Sequence, residues 1–251
     1  MRGSIALVLA MACGRLDFTN VSIATDAIET SGACNWTSTA PNPLVVSGTT
    51  IDYSTFTVSE PVPGIPVTIR DATTRDILGS ATSGSDGAYA IELNDGIAHA
   101  LEIDLGDVNG FYTTHQYTGG PVDQDLAGYQ SPLWNAGAMG AVYGTVGKGY
   151  AQGSGSGTLT IQLEHCDGTF VGSGQVTVTP QPDVLAYLGS NAQPSGTGMT
   201  ETTYGAVVAF NMPPTPNATI TAVAPGLTFE SFEAPVYAGP NATVIVIYAN
   251  E

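Results

Sequence analysis

Positive charge is what this sequence has least of. Its 251 residues include five Lys and Arg in total, of which Lys148 is the one lysine. The chain has 22 Asp and Glu, so its formal net charge is −17. Nucleic-acid backbones and anionic lipid headgroups are both bound through clusters of Lys and Arg. We therefore expect no nucleic-acid partner and no electrostatic docking on a membrane surface.

Charged residues of either sign are also scarce. They make up 11% of the chain, whereas about 25% is usual in soluble domains. Long surface helices need Glu, Lys and Arg on their wet face, so this composition argues against a helical protein. The hydrophobic fraction of 43% is enough for a core, and 31 Gly and 16 Pro provide many turns. The composition therefore favours an all-β fold.

Sequence patterns for catalysis and metal binding are missing. His99, His115 and His165 are scattered and lack the spacing of a zinc site, so we interpret them as structural residues. No Gly-x-Ser-x-Gly elbow and no phosphate-binding loop is present. Asp104 and Asp107 are interpreted as residues of a solvated loop, and no loop has the alternating acidic ligands of a calcium site. We predict no catalytic residue, no metal site and no cofactor; the acidic charge then serves solubility.

The N-terminus carries an export signal. An apolar run over residues 5–12 follows Arg2 and ends at Cys13, and it is shorter than the roughly 20 residues that span a bilayer. The run into Cys13 resembles a bacterial lipobox, in which cleavage exposes a cysteine that is then acylated. We predict a signal peptide over 1–12 and a lipid anchor on Cys13, at the outer membrane or cell surface. The alternative is an ordinary secretory signal that happens to contain a cysteine.

Two cysteines remain if Cys13 carries lipid. In an oxidising compartment an even pair is normally bonded, so Cys34 and Cys166 are predicted to form a disulfide. The alternatives are two free thiols, or a Cys13–Cys34 pair in a protein without lipid.

Patterns along the chain divide it into four parts after the signal. Residues 13–43 are rich in Ser, Thr and Asn and are predicted to be a tether. Residues 44–120 show short alternating strands separated by turns, and the pattern restarts over 157–251. The connecting segment 121–156 is less regular, with a possible short helix over 126–139 and a Gly/Ser-rich end.

The fold class that follows is all-β, with two tandem antiparallel β-sandwich domains. Strands recur every 8 to 12 residues, as they do in sandwiches. Residues 243–248 are apolar on both faces, which predicts an interior strand. The two halves share a strand, turn and strand order, which suggests a divergent repeat.

A family resemblance rests on three short stretches. Residues 64–68 (Gly-Ile-Pro-Val-Thr) and 86–89 (Asp-Gly-Ala-Tyr) resemble the strand and the acidic-glycine-aromatic step of the carboxypeptidase regulatory-like domain. Residues 174–177 (Gly-Gln-Val-Thr) fit more faintly, and 202–204 (Thr-Thr-Tyr) depart from the pattern. The resemblance implies a transthyretin-like or Ig-like sandwich, a fold used mostly by accessory modules of secreted and envelope proteins.

The function expected from these features is a non-catalytic cell-envelope lipoprotein that acts as a structural or protein-interaction module. Its partners would be the membrane, through the lipid anchor, and an envelope protein or polysaccharide. The alternative is a carbohydrate- or polymer-binding module, in which Trp36, Trp134 and Tyr129 stack on sugar rings. A hydrolase would require converging carboxylates that a sequence does not reveal.

Overall fold

The computed structural model describes most of the chain after the N-terminal region. The described residues are 34, 36–52, 60–106, 108, 110–135, 137, 140, 144, 155–189, 195, 197–202 and 205–250. None of their helical residues forms a stretch long and apolar enough to cross a membrane. The predicted signal peptide and Cys13 lie outside the described residues.

Within this part of the chain, sixteen strands are present. They are β1 Leu44–Asp52, β2 Glu60–Pro61, β3 Pro66–Asp71, β4 Ile77–Thr82, β5 Ala88–Leu93, β6 His99–Leu105, β7 Thr113–Val122, β8 Leu126–Leu133, β9 Gly157–Glu164, β10 Gln175–Thr179, β11 Val184–Tyr187, β12 Ala206–Met212, β13 Thr215–Val223, β14 Thr228–Phe229, β15 Phe232–Val236 and β16 Asn241–Asn250.

These strands form three sheets. The largest, here called the central sheet, has nine strands in the order β11-β12-β9-β16-β7-β6-β3-β4, with β14 paired to the end of β16. A four-stranded sheet contains β2, β1 and β5, with β8 beside β1, and a three-stranded sheet has the order β10-β13-β15. The all-β sandwich architecture expected from the sequence is thus confirmed.

Strand β16 joins the two halves of the chain. It pairs in parallel with β7 on one side and β9 on the other, so that Ile245 lies between Tyr117 and Ile161. Residues 242–247 are all buried, which confirms the interior strand expected over 243–248. The final strand therefore takes part in the structure of both halves.

Two hydrophobic cores lie on opposite faces of the central sheet. The four-stranded sheet covers Leu101 and Ile103 of β6 to make the first core. The three-stranded sheet covers β9, β12 and β16, and Tyr117 of β7 belongs to this second core. Tyr117 is paired with Glu102, whose neighbours Leu101 and Ile103 point into the first core. Because side chains alternate along a strand, the two cores must occupy opposite faces.

The segment predicted as a connection contains a strand. Residues 126–133 form β8, which pairs in parallel with β1, so a helix over this stretch was the wrong expectation. Burial of Tyr129 and Leu133 in the first core favours the extended form. Helical backbone is found further on, at residues 137, 140 and 144. The division into domains 44–120 and 157–251 stays a prediction, and the central sheet runs across it.

One edge strand is capped by a side chain. The backbone N–H of Val176 in β10 donates to the Tyr187 hydroxyl at 2.9 Å, and that hydroxyl donates to the Val176 carbonyl at 3.3 Å. Unpaired edge groups are templates for association with other strands. The Tyr187 hydroxyl occupies one donor and one acceptor that β10 would otherwise present.

Candidate functional site

Charged side chains gather on the face of the central sheet opposite the first core. Along β6, Glu102 and Asp104 alternate with leucine and isoleucine and point away from that core. The register places His115 of β7 opposite Asp104, and Arg70 of β3 opposite Glu102. Three neighbouring strands thus bring these groups together. With additional residues from two loops they form the junction cluster, which consists of Arg70, Arg75, Glu102, Asp104, His115, Tyr117 and Tyr237.

Asp104 is held between two cationic groups. Its carboxylate accepts from Arg70 Nε at 2.8 Å and from His115 Nδ1 at 2.6 Å. Burial acts to raise the pKa of Asp104, but the hydrogen bond and charge of His115 outweigh it and lower that pKa. Burial acts against protonation of His115, yet Asp104 and Glu102 raise the pKa of His115 to about 9. His115 is therefore an imidazolium at neutral pH.

Glu102 is fully buried, and Arg75 is the cation that forms an ion pair with its carboxylate. The Arg75 guanidinium forms an ion pair with the Glu102 carboxylate, whose side chain is 0% exposed. Arg75 lies in the turn between β3 and β4 with φ of 70°, in the left-handed region that non-glycine residues rarely adopt. It also donates to the hydroxyls of Tyr117 and Tyr237. An otherwise unfavourable backbone conformation thus brings a cation to a buried carboxylate.

Tyr237 connects this cluster to the second half of the chain. It follows β15, and its ring stacks on His115 with 4.0 Å between ring centroids and 26° between planes. Its hydroxyl donates to Glu102 at 3.4 Å. The cluster is therefore a polar contact between the two halves, beside the parallel pairing of β7 and β16.

Three of these groups have the spacing of metal ligands. One ligand atom each from Glu102, Asp104 and His115 lies within 4.8 Å of the other two. Arg70 and Arg75 already contact the two carboxylates, however, and an imidazolium does not bind metal. Two anions face three cations here, so the arrangement fits an ion-pair network better than a metal centre.

The structure corrects the interpretation of Asp104. The sequence suggested a solvated loop, but Asp104 lies in β6 with 16% of its side chain exposed. The available signal was the alternation over residues 99–105, which puts Glu102 and Asp104 on one face. Asp107 lies outside the described residues.

His99 forms a second, more exposed ion-pair site. Its Nδ1 is 2.6 Å from Asp71 and its Nε2 is 2.6 Å from Asp95. Burial opposes the charged form, but the two carboxylates raise the pKa of His99. His99 and His115 both lie on strands, as expected, and each holds carboxylates from neighbouring segments in place. His165 follows β9 and begins the turn at Asp167.

The disulfide between Cys34 and Cys166 is confirmed, with 5.5 Å between the two Cα atoms. The residues that follow Cys34 are docked on the body. The Trp36 ring lies against Gly120, where an added Cβ would meet it at 2.7 Å, and Thr37 N–H donates to Asp123 at 3.0 Å. The end of the predicted tether is thus held to both halves of the chain.

Aromatic residues considered for sugar stacking are involved in packing. Tyr129 is 6% exposed and belongs to the first core. Trp36 contacts Tyr248 edge-on at 5.6 Å, and Trp134 packs beside the cluster around Phe210. Within the described residues, the large exposed hydrophobic side chains are aliphatic or Met. These contacts do not favour a flat aromatic platform for sugars.

Comparisons with known proteins give distant matches among solved structures. No family model and no curated protein matches the chain. Among solved structures, the Bacillus anthracis TIE protein matches with 12% identity and a TM-score of 0.27, over 82% of this chain and 34% of its own length. The shaft pilin SpaA from Lactobacillus rhamnosus GG matches with 11% identity and a TM-score of 0.25, over 84% of this chain and 98% of the pilin. The minor pilin GBS52 from Streptococcus agalactiae has 6% identity and a TM-score of 0.26, over 82% and 95%.

Similarities this low carry no argument about activity or partners. The resemblance to the carboxypeptidase regulatory-like family therefore stays a prediction, and the sandwich architecture rests on the strands themselves.

Proposed function

We propose that this chain is an exported, non-catalytic structural or protein-interaction module of a bacterial envelope, held by its N-terminal segment and anchored by lipid at Cys13. The observation that carries the proposal is the Cys34–Cys166 disulfide. Disulfides persist in oxidising compartments, which favours an exported protein.

The position of the disulfide supports an attachment role for the N-terminal segment. Cys166 follows β9, and its sulfur lies 3.8 Å from the carbonyl of Ala249 near the end of β16. The N-terminal segment therefore reaches the body at the same end of the central sheet where β16 finishes. We call this end the attachment pole. A body held there would present its opposite end, with the turn at Gly239, to the surroundings.

The polar groups support a structural role over a catalytic one. In the junction cluster, the charged groups are paired with one another, and His115 is covered by the Tyr237 ring. A general base must reach its substrate, and this pairing leaves the acids engaged within the protein. The cluster serves to hold two halves together.

The experiment is fractionation of cells that express the full chain, with Cys13→Ser beside the parent. We expect the parent to sediment with membranes and to incorporate labelled fatty acid, and the variant to be released as soluble protein. Cys34 and Cys166 should be oxidised in both, which controls for export. Equal fractionation of the two proteins would contradict the lipid anchor, and free thiols in both would contradict export.

A further inference from the structure

Residues 36–40, here called the strap, lie against the loop between β5 and β6. Two backbone hydrogen bonds and one β-bridge join the strap to this loop: Ala40 N–H to the Gly96 carbonyl at 3.1 Å, Ala98 N–H to the Ser38 carbonyl at 3.3 Å, and Thr39 to Ile97. Residues 38 and 39 are themselves exposed. This part of the strap is therefore held by the backbone of the loop, and its position depends on what holds the loop.

His99 holds the loop to the rest of the first half. Its Nε2 is 2.6 Å from a carboxylate oxygen of Asp95 in the loop, and its Nδ1 is 2.6 Å from the carboxylate of Asp71 at the end of β3. The other oxygen of Asp95 accepts the Ile97 N–H at 3.0 Å. Asp95 thus connects His99 to the residue that bridges with the strap.

A neutral imidazole cannot make both contacts of His99 as hydrogen bonds. It has one N–H donor and one lone-pair acceptor, whereas a carboxylate only accepts. Because both nitrogens face carboxylate oxygens, both must carry a proton, and the ring must be an imidazolium. After loss of a proton, a lone pair would face a carboxylate at hydrogen-bond distance, and that contact would become repulsive.

The surroundings of His99 supply no second cation. In the described part of the chain, the charged groups that contact His99 are the carboxylates of Asp71 and Asp95. Its register partner on β7 is Val122, which is apolar. Arg75, in the turn that follows Asp71, directs its guanidinium to the junction cluster instead. The proton on His99 is therefore the positive charge between two acids.

The titration of these groups agrees with this arrangement. Burial acts to lower the pKa of His99, but Asp95 and Asp71 raise it. Burial acts to raise the pKa of Asp71, but the Thr74 N–H and His99 lower it. The Ile97 N–H and His99 lower the pKa of Asp95. Both acids are thus ionised at pH values where the imidazolium is present.

Asp95 is the partner that can move away from His99. Its side chain is 38% exposed, whereas that of Asp71 is 14% exposed. The second oxygen of Asp71 also accepts the N–H groups of Thr73 and Thr74, at 2.8 Å and 2.7 Å, which fixes it in its turn. Loss of the proton should therefore release the loop and leave Asp71 in place.

We propose that His99 is a pH-sensitive latch that fastens the strap to the body. With the imidazolium present, Asp95 holds the loop and the loop holds residues 38–40. As the ring loses its proton at higher pH, the loop separates from His99 and the strap is released along this stretch. The Cys34–Cys166 bond keeps the preceding residue attached. The latch consists of groups in the body, so it does not depend on lipid at Cys13.

The experiment measures amide hydrogen exchange by NMR in the full oxidised chain from pH 6 to pH 10, with each rate corrected for the intrinsic effect of pH. The amides of Ala40 and Ala98 should lose about tenfold in protection as His99 titrates, which corresponds to one pKa unit supplied by Asp95. The Thr50 amide donates to Gly87 within the first half and should keep its protection. Nitrogen shifts of the His99 ring should show two protonated nitrogens at pH 6.

Asp95→Asn separates the latch from other effects of pH. Its amide oxygen can still accept the Ile97 N–H, and its NH₂ group can donate to the Nε2 of a neutral His99. The Ala40 amide should therefore keep its protection at pH 10, where the parent has lost it. His115→Gln is the matched control, because it removes another strand histidine with a raised pKa, and its strap should respond as in the parent.

Constant protection at Ala40 and Ala98 while His99 titrates would overturn the proposal, because the ring would then titrate without holding the loop. An equal loss in the parent and in Asp95→Asn would also contradict it. A loss of the same size at Thr50 would show loosening of the whole first half instead of the strap. Ring shifts of a neutral His99 at pH 6 would remove the basis of the latch.

Discussion

Glu102 and Glu164 are both 0% exposed in the same central sheet, yet their surroundings differ. Glu102 lies among Arg75, His115 and Tyr237, in a cluster where cations outnumber anions. Glu164 lies near Tyr129 and Tyr248, and burial alone accounts for its raised pKa. Burial alone therefore does not determine whether a carboxyl has a counter-charge beside it. The placement of the few cations decides which buried acid has one.

This difference follows from the composition of the chain. With five Lys and Arg against 22 acids, most carboxylates must be exposed to water. Arg70 and Arg75 both serve one face of the sheet. The buried carboxyl of Glu164, on the opposite face, must be neutralised in another way, by a proton.

The largest expected effect comes from a substitution that adds a third buried carboxylate, on a strand that lies between the strands of Glu102 and Glu164. Ile245→Asp would place an ion on β16, between Tyr117 and Ile161, with no cation opposite it. We expect a loss of at least about 5 kcal/mol, which would unfold the protein. Circular dichroism and denaturant unfolding measure this. Val223→Asp, at a position 62% exposed on β13, is the control and should change stability by less than about 1 kcal/mol. A folded Ile245→Asp protein would mean that β16 is not central to the two halves.

Removal of the cation beside Glu102 should make that site resemble Glu164. Arg75→Met should cost about 4 kcal/mol, because a buried carboxylate loses its ion-pair partner. The double variant Arg75→Met with Glu102→Gln should recover much of this loss, since it no longer contains a buried ion. Urea unfolding of the single and double variants gives the coupling free energy. Additive losses would show that Arg75 acts through packing alone.

The disulfide supports the side of the sheet that lacks cations. Cys166 is two residues beyond Glu164. The bond joins two cysteines that are 132 residues apart in sequence. Cys34→Ser should cost roughly 4 kcal/mol, because the loop-entropy contribution for a loop of this length is about 5 kcal/mol and measured losses are usually smaller. Hydrogen exchange should accelerate first at Leu163 and Glu164 of β9 and leave Ile103 of β6 protected. Uniform acceleration would mean that the bond supports the whole body equally.

The two sites should titrate in different pH ranges. His115 has a pKa raised from 6.5 to about 9, so its stabilisation is complete below 6.5 and is lost as pH rises to about 9. Glu164 has a pKa raised from 4.5 to about 8, so the protein should lose stability as pH rises from about 4.5 to 8.

Glu164→Gln should therefore gain up to about 3 kcal/mol in the free energy of unfolding over the parent at pH 7, and it should flatten the lower pH range. His115→Gln should flatten only the range from 6.5 to 9. Urea unfolding at a series of pH values measures both. A single common range for the two variants would mean that the sites are coupled across the sheet.

Local patterns in the sequence predicted much of this fold. The alternation over residues 99–105 predicts β6 with its observed bounds, and the apolar run at 243–248 predicts an interior strand. The pair of cysteines left after Cys13, together with the expected export, predicted the disulfide. The strands depend on residues close in sequence, and the disulfide follows from the even number of cysteines that remain after Cys13. A sequence displays both directly.

The candidate sites depend on pairings between distant residues. Asp104 was misassigned because its partners, Arg70 and His115, come from β3 and β7. Arg75 reaches Glu102 only because its turn adopts a left-handed backbone conformation. β8 was missed because its partner β1 lies some 80 residues earlier and runs parallel to it, so no hairpin signal marks it.

The Tyr187 hydroxyl at the edge of β10 bears on whether neighbouring copies of the protein associate when they are crowded together. A protein anchored by lipid is confined to two dimensions, where neighbouring copies meet at high effective concentration. An open strand edge under those conditions would recruit the same edge of the next copy, and patches of aggregated protein would grow laterally. By holding the N–H and carbonyl of Val176, the Tyr187 hydroxyl would oppose this growth at that residue. Under the proposed lipid anchor, such an edge would let the molecules cover a membrane densely and remain separate.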